Sequence, residues 1–169
     1  MINNVSDQVF YHGTSYDFEQ FDIDCFGQAT KELSNAKPHG DYVGKAIFFH
    51  SMKFKAKAYI RASIGSLFAV KVDIKNPLVV NVDNQDYSAW KNVEIPESEV
   101  ETFRLLSANE PDELNYAKYL YALLNFSEVE KRSYILEQGY DGLVDHDYGQ
   151  VAVFFEKQIQ IISKTKTYS

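Results

Sequence analysis

The chain has 169 residues, 45% hydrophobic and 24% charged, with a formal charge of −7. That composition predicts one soluble domain over residues 1–169, long enough to bury a core. No apolar run approaches the roughly 20 residues that cross a bilayer, and Met1 to Gln8 lacks a signal-peptide core, so the expected location is the cytoplasm or a host cell reached without a standard signal. The single Cys25 excludes an internal disulfide and agrees with a reducing compartment. The acidic balance opposes nucleic-acid backbones.

Val9-Phe10-Tyr11 reads as an apolar strand end running into a small-residue turn at His12-Gly13-Thr14-Ser15, a place for exposed backbone N–H groups. Residues 16 to 43 scatter aromatics among Gly27, Pro38 and Gly40 with little periodicity. This predicts a long surface loop holding at most one short helix, and such loops often carry function. Ala46 to His50, entered through Gly44, is an apolar run of β-branched and aromatic residues, hence a buried strand. From Ser51 to Ile60 the spacing predicts a helix, capped by Ser51, with Met52, Ala56, Tyr59 and Ile60 on one face. A strand turning directly into a helix sets Phe48 and Tyr59 on either side of a slot. Two rings so placed either fill core or clamp a flat ligand. Lys45, Lys53, Lys55, Lys57 and Arg61 make this stretch the most basic in the chain, either as a solvated face or as a seat for a small anion.

Phe68 to Ile74 alternates apolar and polar residues, the pattern of a half-buried strand that Asn76-Pro77 breaks. Leu78 to Val82 follows as a short strand, and Asp86 to Lys91 around Trp90 as a helical turn. Helices are expected from Glu97 to Ala108, from Pro111 to Phe126 with Leu114, Tyr116, Ala117, Leu120, Tyr121 and Leu124 as the apolar side, and from Ser127 to Gly139. Ser127 and Glu130 have capping-box spacing, and Gly139 stands where a helix-terminating glycine belongs. Strands follow at Leu143-Val144, Gln150 to Phe155 and Ile159 to Ser163, the first two separated by a polar turn from Asp145 to Gly149. Most helix lies in the middle of the chain, which makes the class α+β.

Three motifs stand in order: Tyr11-His12-Gly13-Thr14, then Gly44-Lys45-Ala46-Ile47-Phe48-Phe49 with Tyr59 eleven residues after Phe48, then Gln150-Val151-Ala152-Val153-Phe154-Phe155 with Gln158-Ile159. Together they resemble the three strand ends that build the active site of ADP-ribosyltransferases of the diphtheria-toxin and poly(ADP-ribose) polymerase type, the clade with a His, Tyr and Glu, Asp or Gln triad. Asn76-Pro77-Leu78-Val79-Val80 and Gly139-Tyr140-Asp141-Gly142 are similar to segments of its compact bacterial and phage branch, found in polyvalent proteins. The resemblance implies split antiparallel β-sheets with helices inserted between the central and last strands. It implies NAD as substrate, no metal and no membrane partner.

It also implies roles. His12 would hydrogen-bond the adenosine ribose, and Gly13 would offer its backbone to the nicotinamide carboxamide. Phe48 and Tyr59 would stack on the nicotinamide ring, Tyr11 would belong to the NAD-binding set, and Thr14 would support the ribose or cap the turn. The implied catalytic set is His12, Phe48 and Gln150. Phe48 stands where the family usually has Tyr, so stacking survives without the hydroxyl. Gln150 stands where a catalytic Glu is usual, and an amide orients a hydroxyl without supplying full negative charge. Asp145, Asp147 and Glu156 are the nearest acids: Asp147 either swings in from its turn or, as turn acids commonly do, stays solvated, and Glu156 lies too far along its strand. The expected activity is mono-ADP-ribosylation of a macromolecular acceptor, protein slightly before nucleic acid, in a toxin, effector or phage-conflict setting. The alternative is an NAD-binding or protein-interaction module with weak or no catalysis.

Overall fold

A computed structural model of the protein describes residues 5–25, 43–80 and 87–168. The loop residues 26 to 42, Val82 at the end of an expected strand and Asp86 at the start of an expected turn lie outside the described residues. The strands are β1 (Phe10–Thr14), β2 (Ile47–His50), β3 (Ile64–Val72), β4 (Pro77–Val80), β5 (Gly142–Asp145), β6 (Gln150–Val153) and β7 (Ile159–Tyr168). They form one sheet in the order β4-β5-β6-β2-β1-β3-β7. The β4–β5 pair is parallel, and every other neighbouring pair is antiparallel. The helices are α1 (Lys53–Lys57), α2 (Glu97–Leu106), α3 (Glu113–Asn125) and α4 (Glu128–Glu137), the last three gathered between β4 and β5. The class is α+β, as the segregation of helix in the sequence indicates.

The expected split in the sheet lies between β1 and β2. The two strands share only the pair Tyr11↔His50. Beside them, β1 follows β3 from Phe10↔Val70 to Thr14↔Ser66, and β2 follows β6 from Ile47↔Val153 to His50↔Gln150. Past Tyr11, therefore, β1 and β2 part while each stays fastened to its outer neighbour.

Strand alternation sends the two faces of the sheet into two cores. One gathers Phe10, Phe21, Ile47, Phe49, Phe68, Val70, Val151 and Val153. The other, on the side of the helices, gathers Leu78, Trp90, Tyr119, Ala122, Ile135, Leu143 and Phe154. Trp90 is its hub: the Tyr134 ring of α4 stacks on it at 5.3 Å, and the Tyr119 ring of α3 tilts against it at 5.6 Å. The apolar side expected for α3 holds in part, since Ala117 is buried and Tyr116 and Tyr121 pack against this core. Leu114 and Leu124 are 67% and 60% exposed, whereas Ala117, Tyr119 and Ala122 are buried. Apolar residues occur on every side of this helix, so periodicity alone includes Leu114 and Leu124 and misses Tyr119 and Ala122, and the partner, Trp90, decides.

The ends of α4 form as local chemistry dictates. The Ser127 hydroxyl accepts from the Glu130 N–H at 3.2 Å, and the Glu130 carboxylate accepts from the Ser127 N–H at 2.7 Å. At the other end the N–H groups of Gly139 and Tyr140 donate to the carbonyls of Leu136 and Ile135, a Schellman closure. Ser51, in contrast, is not the cap of α1. Met52 occupies that position without a side-chain bond, and the Ser51 N–H donates to the Gly149 carbonyl, which ties β2 to the β5–β6 turn. The helix is accordingly short, with Tyr59 and Ile60 in the turn that follows it. Among the described residues no helix is long and apolar enough to cross a membrane. Ser127→Ala removes one arm of the α4 capping box and is expected to cost about 1 kcal/mol in urea unfolding; an unchanged midpoint would show the cap to be idle.

Candidate active site

One side chain bridges the parted strands. Nδ1 of His12 lies 2.8 Å from the Phe48 carbonyl oxygen. A carbonyl only accepts, so Nδ1 carries the proton and Nε2 keeps its lone pair. The imidazole stands edge-on to Phe21 at 5.2 Å and to Phe49 at 5.7 Å. Burial among these rings pushes its pKa below the ordinary 6.5, outweighing the opposite pull of the Phe48 bond. His12 is thus a neutral imidazole whose second nitrogen is an acceptor.

The turn after His12 fixes the segment that carries Tyr59. A Cβ on Gly13 would sit 2.0 Å from the Ala56 carbonyl oxygen and 3.3 Å from Ile60 Cγ1, so only glycine lets α1 lie this close to β1. The Ser15 hydroxyl accepts from the N–H groups of Arg61 and Ala62 at 2.9 and 3.1 Å. Thr14 is buried, and its hydroxyl accepts from the Tyr16 N–H at 3.1 Å, so it caps the turn.

A cleft of about 630 Å³ opens on the helix side of the sheet, lined among others by Phe48, His50, Tyr59, Arg61, Asp145 and Gln150. This is a common size for a small-molecule site. Its floor is a row across three strands, because register sets His50 opposite Gln150 and Gln150 opposite Asp145. Residues directly opposite in antiparallel strands share a face. The Gln150 amide Nε2 lies 2.8 Å from His50 Nε2. The Tyr59 hydroxyl is also hydrogen-bonded to Gln150, and burial raises its pKa against that bond and the nearby Arg61, so it stays protonated at neutral pH. The Tyr59 ring leans on His50, centroids 5.4 Å apart. Lys55 Nζ donates to the Tyr148 carbonyl at 3.1 Å and closes one side.

Phe48, Tyr59 and Gln150, far apart in sequence, thus converge on one cleft. His12, Tyr11, Gly13 and Thr14 do not line it. His12 reaches it only through the Phe48 backbone, Tyr11 sits on the strand pair with His50, and Gly13 packs under α1. Of the basic stretch, Lys55 and Arg61 line the cleft, whereas Lys45 pairs with Asp24 at 2.5 Å. Two cleft residues escape sequence reading. His50 shares strand parity with Phe48, a signal that alternation offers. Asp145, expected as a solvated turn acid, ends β5 and is only 3% exposed. Its place follows from the tight β5–β6 turn, which sets the residues flanking it opposite one another. Glu156 is occupied elsewhere, accepting from the Ile23 N–H at 2.8 Å. Among the described residues no three His, Cys, Asp or Glu side chains gather as a metal site.

The family model described as ADP-ribosyltransferase in polyvalent proteins matches residues 6–168. The chain belongs to this family. The match spans the first motif, the cleft and the last strand alike. No curated protein and no solved structure matches the chain.

Gly13→Ala must displace α1 and should cost about 1–3 kcal/mol; urea unfolding within 0.5 kcal/mol of wild type, about the size of an inert surface change, would contradict the packing. For His12 the folded pKa lies below the unfolded 6.5, so the unfolded chain takes up the proton first, and stability is lost as pH falls below 6.5. His12→Asn keeps a donor for the Phe48 carbonyl and cannot titrate. Its urea midpoint should fall less than that of wild type between about pH 7.5 and about pH 5.5, and parallel declines would contradict the assignment.

Proposed function

We propose that the chain is an NAD-dependent mono-ADP-ribosyltransferase of the His, Tyr and Glu, Asp or Gln triad clade. Nicotinamide enters between Phe48 and Tyr59 over the β5–β6 floor, and its carboxamide meets the Gly13 backbone where β1 has left β2. His12 Nε2 accepts from an adenosine ribose hydroxyl, and Gln150, held by His50 and Tyr59, orients a hydroxyl of the nicotinamide ribose. The bond from ribose C1′ to the ring nitrogen breaks with its electron pair going to the ring, which leaves as neutral nicotinamide. An acceptor lone pair then bonds to C1′, and the acceptor proton passes to solvent. The acceptor is read as a macromolecule, protein before nucleic acid given the formal charge of −7, and a toxin, effector or phage-conflict setting suits the branch.

The observation that carries this reading is the convergence of Phe48, Tyr59 and Gln150 on one cleft in a chain of this family. The cleft fits the ligand in kind, with two rings for a flat cation and an amide for a hydroxyl, and a neutral imidazole stands beside the split. A second reading has its own support. The Gln150 amide is bonded to His50 and Tyr59 and brings no charge, as in a module that binds NAD without cleaving it.

Incubation with labelled NAD and a cell lysate separates the two. Label on an acceptor together with released nicotinamide is expected, and saturable binding without release would favour the module. Gln150→Glu should raise NAD turnover roughly tenfold or more, and an unchanged rate would remove residue 150 from the reacting centre. His12→Asn should weaken NAD binding while the fold holds, and equal affinity would free His12 from any contact with NAD.

A further inference from the structure

The floor of the cleft holds a carboxylate that the reading above leaves without a task. Asp145 lines the cleft and is 3% exposed. One oxygen, Oδ1, accepts from the N–H groups of Asp147 and Tyr148 at 2.9 and 3.0 Å. The other, Oδ2, takes no hydrogen bond among the described residues, and no cation pairs with it there. The turn therefore needs an acceptor at this position, and a neutral Asn or Ser offers one. It does not need a charge.

Register places Asp145 directly opposite Gln150 on the same face, with side chains roughly 5 Å apart at Cβ. Gln150 occupies the position from which a carboxylate would meet charge developing on the substrate, and the amide there is neutral. The carboxylate one strand over, without a paired cation among the described residues, lies within the range at which a unit charge in a partly dry site acts strongly on a cation.

We propose that Asp145 supplies, from the neighbouring strand, the negative charge that stabilises the ribose C1′ as nicotinamide departs, leaving Gln150 to orient the hydroxyl. This rests on the transferase reading. As the C1′–N bond breaks, its electron pair neutralises the ring nitrogen and positive charge passes to C1′ and the ring oxygen of the ribose. Asp145 forms no bond and takes no proton in this step. Its field favours the transition state over the ground state because the ribose carries no such charge before the bond breaks.

Nicotinamide release from NAD is measured for wild type, Asp145→Asn and Asp145→Asn/Gln150→Glu, with thermal unfolding of each. Asn keeps the acceptor for the two turn N–H groups, so the melting temperature should hold. Asp145→Asn should lower kcat about ten- to hundredfold with KM for NAD within about twofold, because the lost interaction exists only in the transition state. The double variant returns a carboxylate to the cleft and should recover kcat to wild type or beyond. Because Gln150→Glu alone is expected to raise turnover, it is measured as a fourth variant. A merely structural Asp145 would lose the same factor in that background, whereas a carboxylate at residue 150 doing the same work makes the Asp145→Asn loss smaller there. If Asp145→Asn does not fold, Asp145→Ser carries the same comparison. Full kcat in Asp145→Asn, or an equal loss when Asp145→Asn is added to Gln150→Glu, overturns the proposal while the transferase reading stands. Absence of nicotinamide release from wild type overturns both.

Discussion

The hydrogen bond from the His12 imidazole to the Phe48 carbonyl holds together a place where the sheet has come apart. In a continuous ladder the β1 backbone would occupy that side of β2, but the strands share only Tyr11↔His50. Beyond it a side chain spans the gap at 2.8 Å. The substitution of imidazole for backbone satisfies a half-buried carbonyl, which would otherwise carry a desolvation cost. It also leaves a separation that a continuous ladder would close. The same bond fixes the His12 tautomer and so presents Nε2 as an acceptor.

Around this split the small residues of the first motif act as scaffold before they act as anything else. Gly13 lets Ala56 come within contact of β1, and Ser15 pins Arg61 and Ala62. These contacts set where Tyr59 stands. A motif that reads in the sequence as a ligand-binding turn is in the structure the mount for a ring that follows it by more than forty residues, and a side chain at Gly13 would spoil that packing.

The legible parts of the sequence were those governed by local chemistry. The capping box at Ser127 and Glu130, the Gly139 terminus and the alternation from Phe68 to Val72 need no distant partner, and each stands in the structure. Phe48, Tyr59 and Gln150 were legible only together, as spaced motifs of a known family, because nothing local distinguishes them from core. What failed depended on tertiary partners. Trp90 selects the buried stripe of α3, the Gly149 carbonyl takes the Ser51 N–H, and strand pairing, not composition, buries Asp145. His50 and Asp145 owe their place in the cleft to register, which a single sequence encodes only through the length of the β5–β6 turn.

The cleft combines neutral and charged groups in one row, His50, Gln150 and Asp145, under the Tyr59 ring. The most direct test is a crystal structure of the protein with an NAD analogue that cannot lose nicotinamide. The account predicts the nicotinamide ring between Phe48 and Tyr59 and an adenosine ribose hydroxyl on His12 Nε2. An analogue seated on another face, or a nicotinamide ring out of contact with Tyr59, would contradict it.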